Sequence, residues 1–155
     1  MNIRTVVVVA AILVALPTWA GDEASRYVNG ERTGARAALP FSDGVWAGNT
    51  LYVSGSIGID PKTGQAPPDA ALEAKLVMDA VKATVERAGL GMDNLVSVTV
   101  YCADLGLYDT FNAVYKSYFH ENYPARAFIG VAQILRSGHF EVQVVGAGKL
   151  VPPRK

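Results

Sequence analysis

The chain has 155 residues, half of them hydrophobic, with 14 basic and 14 acidic side chains. A balanced charge gives no electrostatic case for a nucleic-acid partner or an anionic membrane surface, and the length suits one domain. The single cysteine, Cys102, cannot form a disulfide within the chain. Its place at the end of a valine-rich run favours a buried structural thiol over a nucleophile.

The first twenty residues are typical of a secretory signal. Arg4 supplies a positive start, residues 6–16 form an apolar core, and Ala20 offers a small residue before a cut at Gly21. The apolar run is too short to span a bilayer, which takes about 20 residues. We therefore expect residues 1–20 to be a signal peptide, with a periplasmic or secreted product that has no stable membrane insertion. The alternative is an uncleaved anchor.

Residues 21–38 are polar and without a period, so they predict a lead-in segment with at most one short edge strand. The domain is predicted to occupy residues 39–150. Gly48-Asn49 separates two runs of β-forming residues and predicts a hairpin. Asp69 follows two prolines and offers an N-cap to a helix.

The remaining elements follow from hydrophobic periodicity. Helices are predicted at 70–88 and 107–120, and strands at 95–103, 127–131 and 140–147. This order predicts a single α+β domain with one mixed sheet and two helices packed on one face. The other face of the sheet would then lack a helix to cover it, so we expect it to close against other subunits.

Two charges interrupt apolar strands. Arg126 lies in the run around Pro124, and Glu141 follows Phe140 in the last strand. Burying either charge unpaired is costly, so such positions indicate a surface face, a mutual ion pair or a binding site. His139 would share a strand face with Glu141, but two ligands make a poor metal site, and no metal site is expected. No phosphate loop, dinucleotide fingerprint or serine elbow is present.

Two weaker signals accompany these charges. Gly55, before Ser56, either ends a strand with close packing or lets the backbone approach a small ligand. Asn112 lies at the border of the apolar face of the second helix, where a hydrogen-bonded buried amide is the simpler interpretation.

Taken together, five segments of this chain resemble the RidA/YjgF family of enamine and imine deaminases. They occur in the family's order and spacing at residues 39–45, 48–55, 111–115, 124–127 and 140–142. The resemblance implies a chorismate-mutase-like fold and a homotrimer with pockets at the subunit interfaces. It implies no cofactor.

The resemblance also implies roles for individual residues. Arg126 matches the arginine that binds the substrate carboxylate, and Glu141 matches the glutamate that positions water. Asn112 and Gly55 match residues that shape the same pocket. Three further substrate-binding positions, at Phe41, Ser56 and Phe128, depart from the family pattern of tyrosine, glutamine and a small residue. Leu135 and Gln143 also depart from it, replacing a proline and a second acid.

The expected activity is hydrolysis of a 2-imino acid or its enamine tautomer to a 2-keto acid and ammonia. The two rings of Phe41 and Phe128 are expected to favour hydrophobic imines. One alternative is a trimeric small-ligand-binding or chaperone-like protein of the same fold without turnover, and another is a different small hydrolase. Glu141 favours the enzyme, because carboxylate binding does not need it and water activation does.

Overall fold

Three strands at the start of the domain form an antiparallel meander. In the computed structural model, which describes residues 26–148, these are β1 (Arg26–Val28), β2 (Gly44–Ala47) and β3 (Thr50–Ile57). Gly48 in the predicted hairpin turn has φ +55°, a left-handed conformation that glycine adopts readily. The lead-in segment thus contributes one short edge strand.

Helix α1 (Ala70–Arg87) begins where the sequence predicts. The Asp69 carboxylate accepts hydrogen bonds from the backbone N–H groups of Ala71 and Leu72, an N-cap typically worth about 1 kcal/mol. Gly89, just beyond the helix, has φ +90° and ends it as a left-handed cap. The buried stripe of α1 packs on the sheet.

The second half of the chain contributes β4 (Leu95–Cys102), α2 (Tyr108–Tyr115), β5 (Ala125–Gly130) and β6 (Phe140–Ala147). The prediction that the second helix reaches residue 120 is wrong. The chain tightens into a 3₁₀ turn at Lys116–Tyr118, and Phe119 is extended. The helical spacing of apolar residues continues beyond the end of α2 because the ring of Phe119 still packs on the ring of Tyr115, with centroids 4.8 Å apart.

The strand order is β1-β2-β3-β6-β4-β5, and only the β4–β5 pair is parallel. Both helices pack on one face, which confirms the predicted α+β architecture. The core between helices and sheet includes Trp46, Val81 and Val100. Cys102 is also buried there, and burial raises the pKa of its thiol. The opposite face has no helix among the described residues and exposes Tyr27, Tyr52 and Ile129.

No helix within residues 26–148 combines the length and apolar character needed to cross a membrane. The predicted signal peptide, residues 1–20, and the predicted cut before Gly21 lie outside the described residues.

Candidate active site

Arg126 lies on the edge strand β5 and points toward the helices. It pairs in register with Val98, whose side chain is buried under the helices, and paired residues in a sheet share a face. The guanidinium carbon lies 4.6 Å from the ring centroid of Tyr115 and 5.7 Å from that of Tyr108. Nη2 donates a hydrogen bond of 3.4 Å to the Tyr108 hydroxyl. Arg126 forms no ion pair with an acid among residues 26–148.

The guanidinium opens onto a cavity of about 350 Å³, here called the arginine pocket. Its walls are formed by Tyr108, Asn112, Tyr115, Lys116, Tyr123, Pro124 and Arg126. Two of these side chains are cationic and none is acidic. Aromatic walls stack on a planar guanidinium and fix its orientation while leaving its donors available to a carboxylate. The arginine pocket is therefore built to hold an anion.

Tyr115 adds an unpaired polar atom to this pocket wall. Its side chain is 3% exposed, and its hydroxyl has no hydrogen-bond partner within the described part of the chain. Burial raises the pKa of Tyr115 to about 12, although the positive charge of Arg126 partly offsets that effect. The phenol is therefore neutral at physiological pH.

Asn112 is half-buried, and its side chain makes no hydrogen bond to another described residue, so the simpler interpretation of a bonded buried amide is wrong. It lines the arginine pocket instead. Tyr108 and Tyr115 lie four residues before and three residues after it, on the same helical face. That spacing was visible in the sequence, and it identifies the two tyrosines as site residues that motif matching missed.

Phe128 lies beside the guanidinium, as its position two residues after Arg126 predicts, with 5.8 Å between the ring centroid and the guanidinium carbon. Its ring packs edge-on against Tyr108 and Phe111, with centroid distances of 5.0 and 5.6 Å. Phe128 is thus joined to the core cluster and is not among the walls of the arginine pocket. It supports the guanidinium from the core side.

Glu141 occupies the opposite face of the sheet. It pairs in register with Tyr101, which alternates with the buried Val100 and so points away from the helices. A Cβ built on Gly55 would lie 2.0 Å from Oε1 of Glu141, so the carboxylate rests directly on the glycine backbone. This contact explains the glycine: any side chain at position 55 would displace Glu141.

A cavity of about 270 Å³, here called the glutamate pocket, contains this carboxylate. Its walls are Gly55, Tyr101, Val131, Gln133, Ile134, Glu141 and Gln143. Gly55 also lines a larger cleft of about 730 Å³ between α1 and the segment that leads into β2. Phe41 and Ser56 line that cleft, and Phe41 is 49% exposed. Leu135 is 75% exposed and lies outside the walls of all three cavities described here.

The predicted site residues therefore form three groups. Arg126 and Asn112 line the arginine pocket with Phe128 beside it, and Glu141 and Gly55 line the glutamate pocket. Phe41 and Ser56 line the larger cleft, which Gly55 also borders. Arg126 and Glu141 are on opposite faces of one sheet, which excludes a mutual ion pair within the chain.

His139 does not share a face with Glu141, contrary to the spacing argument. It precedes β6, and its Nδ1 lies 2.6 Å from Oε2 of Glu73 on α1. Because His139 lies outside the strand, the alternation of faces along β6 does not determine its orientation, and its imidazole contacts the Glu73 carboxylate on the helix side. Among the described residues, no group of three or more His, Cys, Asp or Glu side chains could hold a metal ion.

Comparisons with known proteins show which family shares this fold and these residues. The family model described as Endoribonuclease L-PSP matches residues 32–147. The chain belongs to this family, which includes the RidA/YjgF proteins.

Several curated relatives bear a functional name. The 2-iminobutanoate/2-iminopropanoate deaminase of Escherichia coli K12 is 39% identical over 115 residues, covering 72% of this chain and 90% of the relative. The protein of that name from Bos taurus is 38% identical over 113 residues, covering 72% and 82%. The crystal structure of the E. coli YjgF gene product superposes with a TM-score of 0.72 at 35% identity, covering 80% and 99%. E. coli TdcF with bound serine gives 0.72 at 31% identity, with the same coverage.

Proposed function

We propose that this protein hydrolyses 2-imino acids, or their enamine tautomers, to 2-keto acids and ammonia. The observation that carries the proposal is the guanidinium of Arg126, which has no acidic partner among the described residues and is held by aromatic rings over an anion-sized cavity. Relatives named as imine deaminases support the same reaction class. The near-neutral charge of the chain gives no comparable support for RNA cleavage.

Arg126 would bind the substrate carboxylate through two parallel N–H donors. These two hydrogen bonds also fix the position of the C=N group, because the imine carbon is bonded directly to the carboxylate carbon. Asn112 and Tyr115 line the same pocket and offer an amide and a hydroxyl to the substrate.

Glu141 would act on water. Its carboxylate accepts a proton as the water oxygen bonds to the carbon of the protonated imine and the C=N electron pair moves to nitrogen, which gives a neutral carbinolamine. Glu141 then returns that proton to the amine nitrogen, the C–N bond breaks to release ammonia, and the hydroxyl loses its proton to water as its oxygen becomes the keto oxygen. Neither step consumes an oxidant, a reductant or a cofactor.

One chain cannot bring both groups to one substrate, because Arg126 and Glu141 are on opposite faces of the sheet. A head-to-tail ring of subunits joins two different surfaces and would place the arginine pocket of one subunit against the glutamate pocket of the next. With the three subunits that the family resemblance implies, the proposal is a homotrimer with three shared sites. The uncovered sheet face, with Tyr27, Tyr52 and Ile129 exposed, supports such an association.

A mixing experiment tests the shared site. Arg126→Ala and Glu141→Gln are each expected to be inactive as pure proteins. In randomly mixed trimers, a complete site needs a subunit with Arg126 next to a subunit with Glu141, which gives about one quarter of the wild-type sites. Recovery near that fraction supports the shared site, and no recovery in verified mixed trimers refutes it.

Turnover itself is tested with imines made in the cuvette. An amino-acid oxidase generates 2-iminopropanoate or 2-iminobutanoate, and purified protein should accelerate the decay of each. The alternative function, ligand binding without turnover, predicts that a 2-keto acid binds in an Arg126-dependent way while imine decay is unchanged. Comparing imines of different side chains would show whether the site favours hydrophobic substrates.

A further inference from the structure

Glu73 is a buried carboxylate that the proposed reaction does not use directly. It lies in the first turn of α1, is 0% exposed, and is the one fully buried charged side chain among residues 26–148. A buried carboxylate is costly unless hydrogen bonds compensate for the water that it loses. Its partners therefore show which part of the structure depends on it.

All described hydrogen-bond partners of the Glu73 carboxylate lie at the start of β6. Oε1 accepts hydrogen bonds from the backbone N–H of His139 at 2.7 Å and of Phe140 at 2.8 Å. Oε2 lies 2.6 Å from Nδ1 of His139. The carboxylate thus joins α1 to the two residues that directly precede Glu141.

Two glycines make room for this connection. A Cβ on Gly58 would lie 2.4 Å from the Glu73 carbonyl oxygen, and one on Gly138 would lie 3.1 Å from Oε1. The neighbouring loop is under backbone strain, because Arg136 and Ser137 have φ of +57° and +55°. Such conformations persist where surrounding contacts hold them, and Glu73 holds the end of this loop nearest to β6.

The same loop forms a wall of the glutamate pocket through Val131, Gln133 and Ile134. Glu73 therefore fixes both the strand that presents Glu141 and the wall that faces it. We propose that Glu73 is a positioning residue for Glu141, acting through the backbone of His139 and Phe140. This inference rests on the proposed function, because it assumes that Glu141 acts on water.

The proposal makes a prediction that separates kcat from KM. Carboxylate binding depends on Arg126, on the opposite face, whereas water activation depends on Glu141. Loss of the Glu73 connection should therefore lower kcat while leaving KM, and the affinity for the product 2-oxobutanoate, unchanged. A general loss of folded protein would not change kcat per folded site in this selective way.

Two variants weaken the connection to different degrees. Glu73→Leu removes both acceptor oxygens. Gly138→Ala keeps both oxygens and places a Cβ 3.1 Å from Oε1, 3.1 Å from the Ile134 side chain and 3.3 Å from the Leu135 carbonyl oxygen. The ordinary φ of about −70° at Gly138 accommodates alanine. Glu73→Gln keeps an acceptor oxygen for the two N–H groups. Gly91→Ala is the matched glycine control, since a Cβ there has only a 3.7 Å contact with Asn94.

We expect Glu73→Leu to lower kcat at least tenfold. Gly138→Ala, which shifts its neighbours by only a few tenths of an ångström, should lower kcat about fourfold. In both variants KM and the 2-oxobutanoate affinity should stay within twofold of wild type. Glu73→Gln should recover at least a third of wild-type kcat, and Gly91→Ala should match wild type. Amide hydrogen exchange at His139 and Phe140 should accelerate in Glu73→Leu. If Glu73→Leu does not fold, kcat and the exchange rates of His139 and Phe140 in Gly138→Ala decide the matter together, because pressure on Ile134 alone would lower kcat without accelerating that exchange.

Unchanged kcat in Gly138→Ala or a folded Glu73→Leu would overturn the positioning role, as would equal losses in kcat and in product affinity. Failure of the proposed function is seen separately, because wild-type protein would then show no turnover at all. The exchange measurement does not depend on turnover and reports whether Glu73 anchors the start of β6.

Discussion

Replacing Gly55 with alanine tests the placement of Glu141 most directly. The added methyl carbon would lie 2.0 Å from Oε1 and 3.0 Å from Cδ of Glu141. Even a tight contact between such atoms needs about 3 Å, so the carboxylate oxygen must move by about 1 Å. Gly55 has no left-handed φ, so alanine adds no backbone strain there.

A displacement of about 1 Å in a catalytic group costs about 100-fold in rate, or about 2.7 kcal/mol of transition-state stabilisation. Stability should change little, because Glu141 is only half-buried and its end can rotate. We therefore expect Gly55→Ala to fold with a melting temperature near that of wild type and to lose about 100-fold in kcat on 2-iminobutanoate.

A double-mutant cycle then assigns the loss to Glu141. In a Glu141→Ala background the clash is absent, so adding Gly55→Ala should change the residual rate by less than about twofold. If Gly55→Ala has wild-type kcat, or if it costs the same factor in both backgrounds, then the carboxylate does not act from the position described here.

Four other expectations follow. Arg126→Lys replaces a planar two-point donor with a single ammonium and should lose about 1.5–3 kcal/mol of substrate binding, about 10- to 150-fold in kcat/KM, in steady-state kinetics; near-normal kinetics would rule out bidentate binding. Burial raises the pKa of Tyr115 to about 12, above the usual value near 10. The stability that the neutral phenol contributes to the folded state is therefore fully present below pH 10 and is lost as the pH rises toward 12. Tyr115→Phe should reduce that loss in thermal melts, and an unchanged pH dependence would contradict the assignment. Sedimentation of the mature protein at micromolar concentration should give three times the chain mass, and an active monomer would contradict the shared site. The proposed export predicts an envelope protein whose N-terminus, read by mass spectrometry, is Gly21 and not Met1.

Elements governed by local chemistry could be predicted from the sequence. Asp69 and Gly89 mark the ends of α1 because capping depends on residues a few positions away. The end of α2 could not be predicted in this way, because the aromatic period continues through a 3₁₀ turn. Over a single turn, one buried ring every three or four residues fits an α-helix and a 3₁₀ turn equally well.

The relation between the two halves of the site depends on long-range pairing. Strand alternation correctly places Phe128 on the same face as Arg126. Alternation alone cannot predict whether Glu141 lies on the same face as Arg126, because that depends on how β4 pairs with both β5 and β6. The role of Glu73 had a visible signal, since it precedes the buried Val77 and Val81 by four and eight residues on one stripe of α1. The hydrogen-bond partners of Glu73 lie 66 and 67 positions away, and no sequence pattern indicates them.

The placement of Arg126 and Glu141 on opposite faces has a consequence for when such an enzyme becomes active. A newly folded single subunit would present an anion-binding surface on one side and an isolated carboxylate on the other. Catalytic competence would then appear only on association, and specific activity would fall on dilution as assemblies dissociate. For a protein proposed to leave the cell interior, the threshold concentration for association would determine where along its route the reaction can begin.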